Sequence, residues 1–278
     1  MKLAVLQLNS QAQWEPNRQQ IAALLMRLPA ERPLLVLLPE NFAALGSTAD
    51  YQAIAEPVGE GPIQQQLASW AKQYGIWLVA GSLPTQTASA ERLHTTTLVY
   101  DADGQLRGHY HKLHLFDVDV ADGHRRYRES DSFVAGNACQ VVSSPFGGLG
   151  LSICYDVRFP ELYRRLRVAG AEILLVPAAF TAVTGAAHWR PLLQARAIEN
   201  QCYLLAANQG GEHDGGRRTW GHSLIVDPWG RVLGELDDEP GVLIATLDPQ
   251  LILQVRTDMP VLEHARLTGA WRDEASCC

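Results

Sequence analysis

Gly147-Gly148-Leu149-Gly150-Leu151-Ser152-Ile153-Cys154-Tyr155-Asp156-Val157-Arg158-Phe159-Pro160-Glu161 reads as a strand that breaks and restarts as a helix. Leu149 to Ile153 predicts a short buried strand, entered through glycines that permit a tight turn. Pro160 stands where the first turn of a helix tolerates it, and Glu161-Leu162-Tyr163-Arg164-Arg165-Leu166 continues at helical spacing. Cys154 therefore falls on a strand-to-helix bend. Such a bend lifts a side chain out of the sheet and leaves backbone N–H groups, notably that of Tyr155, aimed at whatever binds there. A thiol so placed can attack a carbonyl carbon while the adjacent amide holds the oxyanion. A small buried core cysteine would fit the bend equally well.

Composition narrows the class of molecule. At 278 residues the chain is long enough for a substantial core, and 47% hydrophobic with 19% charged content excludes a disordered polymer. A net charge of −7 argues against nucleic acid or an anionic membrane as the main partner. No apolar run reaches the length of a membrane span, and the opening Met1–Leu8 is too short for a secretory signal. Cys139, Cys154, Cys202, Cys277 and Cys278 make an odd set without framework spacing, which points to a reduced, cytoplasmic setting. The final Cys277-Cys278 pair lacks the four-residue prenylation box and is expected to be exposed tail thiols.

Outward from the bend, strands alternate with helices. Lys2–Leu8 predicts a strand and Asn17–Leu28 a helix, and Leu34–Leu38 is a continuous apolar run typical of a strand buried on both faces. That run ends in Pro39-Glu40, placing a carboxylate at the carboxyl end of a central strand, where ligands gather in open α/β sheets. Taken alone, Glu40 reads as an exposed strand-end glutamate rather than a site residue. Helix Ile63–Tyr74 and strand Ile76–Ser82 follow, then a hairpin of Thr95–Tyr100 and Gln105–Tyr110 that runs into His111-Lys112-Leu113-His114. Lys112 sits among apolar neighbours. Its flanking histidines lack a third convergent group, so no metal is expected.

Asp122–Ser132, with Glu129, predicts a polar surface loop. Beyond the bend come strand Glu172–Val176, a loop over Pro177–Ala187, helix His188–Asn200, strand Cys202–Ala207 and a mobile glycine-rich loop Gly210–Gly216. A second hairpin (Ser223–Val226, Arg231–Leu236), strand Val242–Leu247 and a short helix with an extension from Pro249 complete the chain. No linker divides it, so one domain over 1–278 is expected. The pattern predicts an α/β fold with mixed sheets.

Leu38-Pro39-Glu40, Tyr110-His111-Lys112-Leu113-His114-Leu115-Phe116 and Ile153-Cys154-Tyr155-Asp156-Val157-Arg158-Phe159-Pro160-Glu161 together closely resemble the nitrilase, or carbon–nitrogen hydrolase, superfamily, over essentially the whole chain. The resemblance implies a four-layer αββα sandwich with two mixed sheets and a Glu40-Lys112-Cys154 triad, joined by a second glutamate that matches Glu129. It implies no cofactor, a homodimer or higher homo-oligomer, and a small carboxylate-bearing amide as substrate. Cys154 would attack the amide carbon, Glu40 would move the protons, and Lys112 with the Tyr155 N–H would hold the oxyanion. Glu129 would orient Lys112 or the attacked amide. The cation beside the thiol would favour thiolate.

Ala178–Trp189 and Ala195–Tyr203 look like the branch of deaminated-glutathione amidases and ω-amidases. Phe180 and Thr184 would line the pocket, with a packing role open for Phe180. Arg158 is expected to brace the sheet through an internal ion pair. Thr181 stands where the ω-amidase pattern carries asparagine, and Arg217-Arg218-Thr219-Trp220-Gly221-His222-Ser223 looks closer to the deaminated-glutathione group. Arg217 and Arg218 would meet the substrate's distal carboxylate or else be solvated loop residues. The expected reaction is cleavage of deaminated glutathione to 2-oxoglutarate and cysteinylglycine. Its rivals are ω-amidase action on 2-oxoglutaramate, N-carbamoyl or nitrile hydrolysis, and a non-catalytic interaction module.

Overall fold

The computed structural model describes residues 1–89, 91–122 and 126–267, so Cys277 and Cys278 lie outside the described residues. Two six-stranded mixed sheets form the centre. In the first, strands Gly241–Thr246, Lys2–Gln7, Leu34–Leu37, Trp77–Gln86, Leu93–Tyr100 and Leu106–His111 lie in that spatial order. The second runs Val232–Glu235, Leu224–Val226, Tyr203–Asn208, Ala171–Ala178, Gly147–Leu151 and Val141–Ser144. Each has three parallel strands at its heart and antiparallel strands outside. The βαβ and hairpin patterns of the sequence produce this mixture.

Alternation decides how the layers stack. Leu3, Val5, Leu35, Leu37, Val79 and Val99 share one core with Leu149, Leu151, Ile173 and Leu175 of the second sheet. Their sequence neighbours Ala4, Leu6, Leu34, Val36, Leu78 and Leu98 turn the other way, onto Ile21, Leu24, Leu25, Leu67 and Trp70 of helices Trp14–Leu25 and Pro62–Tyr74. Helices Pro160–Val168 and Ala182–Asn200 cover the second sheet, burying Tyr163, Leu166, Trp189 and Leu193. The result is the αββα sandwich. Each buried aliphatic side chain contributes about 1.5–3 kcal/mol. A one-residue slip of a strand would exchange its two faces, so the pattern fixes register.

Several local expectations are corrected. The loop expected over Pro177–Ala187 is instead the strand's end and the first turn of helix Ala182–Asn200, because the Thr181 side chain accepts from the Thr184 N–H and caps the helix early. Gly210–Gly216 is not an irregular loop throughout: Gly210–Glu212 pairs with Arg218–Trp220. Its leading glycine serves close approach, since a Cβ at Gly210 would lie 2.2 Å from the Asp238 carbonyl oxygen. Helix Thr48–Ala53, unforeseen, is closed by a capping box between Ser47 and Asp50. Within Asp122–Ser132, Arg126–Arg128 pairs with Asp117–Asp119. The segment from Pro249 is docked: helix Pro249–Asp258 buries Ile252 and Val255, and the Gln201 side chain donates to the carbonyls of Val255 and Met259.

Cys154 and Cys202 are buried free thiols. No helix among the described residues is long and apolar enough to cross a membrane.

Candidate active site

Glu40 follows strand Leu34–Leu37 and is buried. A turn and two hydrogen bonds fix its backbone: Asn41 turns immediately after it at φ 57°, the Asn41 N–H donates to Ser82 Oγ at 2.9 Å, and Gln209 Nε2 donates to the Glu40 carbonyl at 2.9 Å. Gly81 makes room for the approach, since a Cβ there would meet the Pro39 carbonyl oxygen at 1.8 Å. The Glu40 side chain then crosses between the sheets. Its Oε1 accepts from Lys112 Nζ at 2.8 Å, and its Oε2 accepts from the Ala179 N–H at 2.9 Å.

Lys112 continues the line of strand Leu106–His111, its N–H donating to the Thr95 carbonyl at 2.9 Å. The ammonium is buried and lies between two carboxylates, donating to Glu40 and to Glu129 Oε2, each at 2.8 Å. Burial alone would pull its proton off, but the charges of Glu129 and Glu40 outweigh that and hold Lys112 well above the ordinary lysine range. An ammonium has three N–H groups. They reach three carboxylate oxygens, Glu40 Oε1 at 2.8 Å and Glu129 Oε2 and Oε1 at 2.8 and 3.1 Å, so a ligand oxygen at this cation would take the place of the longer Glu129 contact. Glu129 is in turn fixed by the Phe116 N–H at 2.7 Å and Thr95 Oγ1 at 3.1 Å. Of its two expected roles, the contacts are those of a group that orients Lys112.

Cys154 begins a short 3₁₀ turn, Cys154–Arg158, at φ 49°, a left-handed conformation that L-residues adopt at a cost of about 1–3 kcal/mol. What holds it there is Asp156, a fully buried carboxylate. It accepts from the Ile153 N–H at 2.8 Å, Tyr110 Oη at 2.7 Å, the His114 N–H at 3.1 Å and His114 Nδ1 at 2.7 Å. His114 also stacks on Phe159, ring centroids 3.7 Å apart. The Tyr155 N–H has no acceptor among the described residues and so keeps a free donor beside the thiol.

One sequence-level expectation about the thiol fails. Burial, and then the charge of Glu40, push the Cys154 thiol well above the ordinary cysteine range, despite the opposing pull of Lys112. Lys112 is already neutralised by two carboxylates, so the resting group is a thiol beside a carboxylate, not a thiolate.

These groups form the floor of a cavity of about 660 Å³. Glu129, Tyr155, Phe180, Thr184 and Arg217 also line it. Phe180 fulfils both of its readings, packing on Trp189 at 5.0 Å between centroids while facing the cavity. Arg218 is exposed and does not line the cavity, because successive strand residues point to opposite sides. Arg158 makes no ion pair with a described residue. Its guanidinium instead lies over the Phe180 ring at 5.1 Å and the Tyr155 ring at 5.8 Å and also lines the cavity, with His188 Nδ1 3.2 Å away.

Sequence reasoning missed Asp156 and Tyr110, which hold the Cys154 turn, and Tyr51, which lines the cavity. Tyr110, Lys112 and His114 recur at period two, which puts them on one side of an extended segment, and that signal was available. His111 is turned away, its Nδ1 2.8 Å from Thr96 Oγ1 and its ring stacked on His94 at 4.2 Å. Among the described residues no group of three or more His, Cys, Asp or Glu is arranged to hold a metal ion.

Comparison with known proteins gives concordant results. A family model described as carbon–nitrogen hydrolase matches residues 2–257. The chain is 44% identical over 269 residues to a protein of Yersinia enterocolitica named deaminated glutathione amidase, spanning 96% of this chain and 94% of that one. It is 40% identical over 270 residues to a protein of the same name from Dictyostelium discoideum, spanning 95% and 93%. The crystal structure of Nit3 from Saccharomyces cerevisiae, a member of branch 10 of the nitrilase superfamily, superposes with a TM-score of 0.84 at 30% identity, covering 94% of each chain.

Proposed function

The chain belongs to the carbon–nitrogen hydrolase family, and from that premise we propose that it hydrolyses the amide of deaminated glutathione to 2-oxoglutarate and cysteinylglycine. The observation that carries this reading is the meeting of thiol, carboxylate and ammonium at the floor of a roomy cavity. About 660 Å³ lies within the range of small-molecule sites, and it leaves space for a dipeptide leaving group that an ammonia-releasing site would not need.

As Cys154 Sγ bonds to the amide carbon, its proton passes to Glu40, and the carbonyl oxygen takes the negative charge. The Lys112 ammonium, turning one N–H away from its longer Glu129 contact at 3.1 Å, and the Tyr155 N–H are the donors for this oxyanion. Glu40 then protonates the amine nitrogen, the C–N bond breaks, and cysteinylglycine departs, leaving a thioester. Water enters, gives a proton to Glu40 and attacks the thioester carbon. Collapse returns the proton to sulfur and frees 2-oxoglutarate. The raised thiol pKa suits this sequence, because the proton moves to Glu40 as the bond forms.

The expected result is a higher kcat/KM for deaminated glutathione than for 2-oxoglutaramate, measured by coupled release of 2-oxoglutarate from both. A tenfold preference for 2-oxoglutaramate, about 1.4 kcal/mol of transition-state binding, would move the protein to the ω-amidase reading.

A homodimer or larger assembly also belongs to this reading. Val183, Ile198, Trp229 and Leu253 are exposed, and Ile198 lies against the Trp229-Gly230 turn, an uncovered apolar area of the kind that meets a second copy. Light scattering at micromolar concentration should give at least twice the chain mass. A monomer would contradict it.

A further inference from the structure

Tyr51 brings a phenol to the cavity wall from helix Thr48–Ala53. The helix is firmly seated. The Ser47–Asp50 capping box closes its start, and Thr48 Oγ1 lies 2.6 Å from Ser132 Oγ. The Tyr51 ring packs on Phe133 at 5.4 Å between centroids, and the Phe133 N–H donates to the Glu129 carbonyl at 2.9 Å. Tyr51 is thereby tied to the turn that supplies Glu129. Its phenol is partly buried, and the charges that reach it are those of Arg217, Glu40 and Glu129.

A tyrosine hydroxyl in such a place ordinarily has an acceptor within the protein. The Tyr51 oxygen takes the Gly46 backbone N–H, but its own hydrogen has no acceptor among the described residues. The nearby carboxylates are already engaged. Glu40 accepts from Lys112 on one oxygen and from the Ala179 N–H on the other, while Glu129 serves Lys112, Thr95 and the Phe116 N–H. Burial holds the phenol above the ordinary tyrosine range against the pull of Arg217, so the group is an O–H donor and not a phenolate. An unspent donor at a cavity wall fits an acceptor that arrives with the substrate.

We propose that the Tyr51 hydroxyl donates to the first carbonyl of the leaving group, the peptide carbonyl whose carbon lies two bonds beyond the scissile nitrogen. The proposal rests on the amidase reading of the site. Glu40 is the group that protonates the departing nitrogen, and Tyr51 stands within reach of its charge, on the side from which the amine leaves. The first acceptor beyond that nitrogen is this carbonyl. A substrate that releases ammonia has no atom for the contact, so Tyr51 is a specificity-determining residue that favours peptide amides. Once the amine has gone the contact is gone too. Its binding energy therefore acts on thioester formation and not on thioester hydrolysis.

The test uses two amides of 2-oxoglutarate that differ only beyond the scissile nitrogen, one made with glycinamide and one with n-propylamine. They are given to the full-length enzyme and to Tyr51→Phe, which keeps the ring on Phe133 and whose fold is checked by thermal melting. Wild type should prefer the glycinamide compound by about tenfold in kcat/KM, and Tyr51→Phe should bring the two within about twofold. Rapid-quench measurement of amine release and of 2-oxoglutarate formation should place the loss in amine release. Inhibition by cysteinylglycine should weaken by a similar factor, since the free dipeptide keeps the carbonyl. If Tyr51→Phe retains the wild-type preference, the contact is wrong. Equal losses on both amides and in both steps would mean that Tyr51 acts on Glu40 instead, which also overturns the proposal. An enzyme that turns over neither amide has no such leaving-group site. Failure of the substrate reading looks different: wild type would favour 2-oxoglutaramate over deaminated glutathione, while the pair of amides still decides the Tyr51 contact.

Discussion

Lys112→Met is expected to cost at least about a thousandfold in kcat/KM and to destabilise the protein, because it removes an oxyanion donor and leaves two buried carboxylates facing each other. Glu40 and Glu129 both accept from this one ammonium, at 2.8 Å each. Breaking a buried pair of this kind costs about 3–5 kcal/mol, which in a chain of this size lowers Tm by on the order of 10 °C. The two effects separate in a second variant. Lys112→Met combined with Glu129→Gln removes one of the stranded charges, so Tm should recover substantially while turnover stays absent. A Lys112→Met enzyme within tenfold of wild type would take Lys112 out of the chemistry. An unchanged Tm would show that water reaches the pair and that the burial has been overvalued.

Cys154→Ala should behave in the opposite way, losing turnover by roughly a hundred-thousandfold or more while Tm stays within about 3 °C. The thiol is the only atom that can form the thioester, yet the turn that carries it is held by Asp156 and not by sulfur. Iodoacetamide should label Cys154 in wild type, and substrate should slow the labelling. Since burial and Glu40 raise the thiol's pKa, thiolate grows as pH rises, and the labelling rate should climb about tenfold per pH unit through neutrality. A rate already level at about pH 6 to 7 would mean a preformed thiolate, and the proton route through Glu40 would have to be rewritten. Measurable turnover by Cys154→Ala would remove the nucleophile altogether.

The positions of the three groups to which the proposed reaction is assigned were legible in sequence because each adjoins a segment with a strong local signature. Leu34–Leu37 is apolar at every position, which only a strand buried on both faces requires, so Glu40 had to stand at its carboxyl end. The glycines and Pro160 around Cys154 likewise announce a turn between two regular elements. Helix Thr48–Ala53 and the early start of helix Ala182–Asn200 were lost for a different reason. Val183, Thr184 and Gly185 are weak helix formers, and tertiary packing decided against their propensity. The caps were nonetheless written in Ser47-Thr48-Ala49-Asp50 and Thr181. The thiol's protonation was not legible at all. It depends on how much water two layers of side chains exclude and on which carboxylate reaches Lys112 first, both properties of the packed site. Arg217 and Arg218 are chemically the same in a string of letters, and only the strand's alternation separates the one lining the cavity from the one in solvent.

Asp156 has a consequence for anyone wishing to transplant this chemistry onto another scaffold. Its two oxygens fasten the Ile153–Cys154 turn from one sheet to Tyr110 and His114, which bracket Lys112 in the other. Nucleophile and ammonium are thus surveyed against each other by a carboxylate that never meets the substrate. A graft that copied Glu40, Lys112 and Cys154 alone would carry the reagents without the ruler that spaces them. The smallest portable unit is Glu40 together with a pair of segments, Tyr110–His114 and Ile153–Asp156. A directed-evolution library aimed at new amides should hold all three fixed and spend its diversity on Phe180, Thr184 and Arg217.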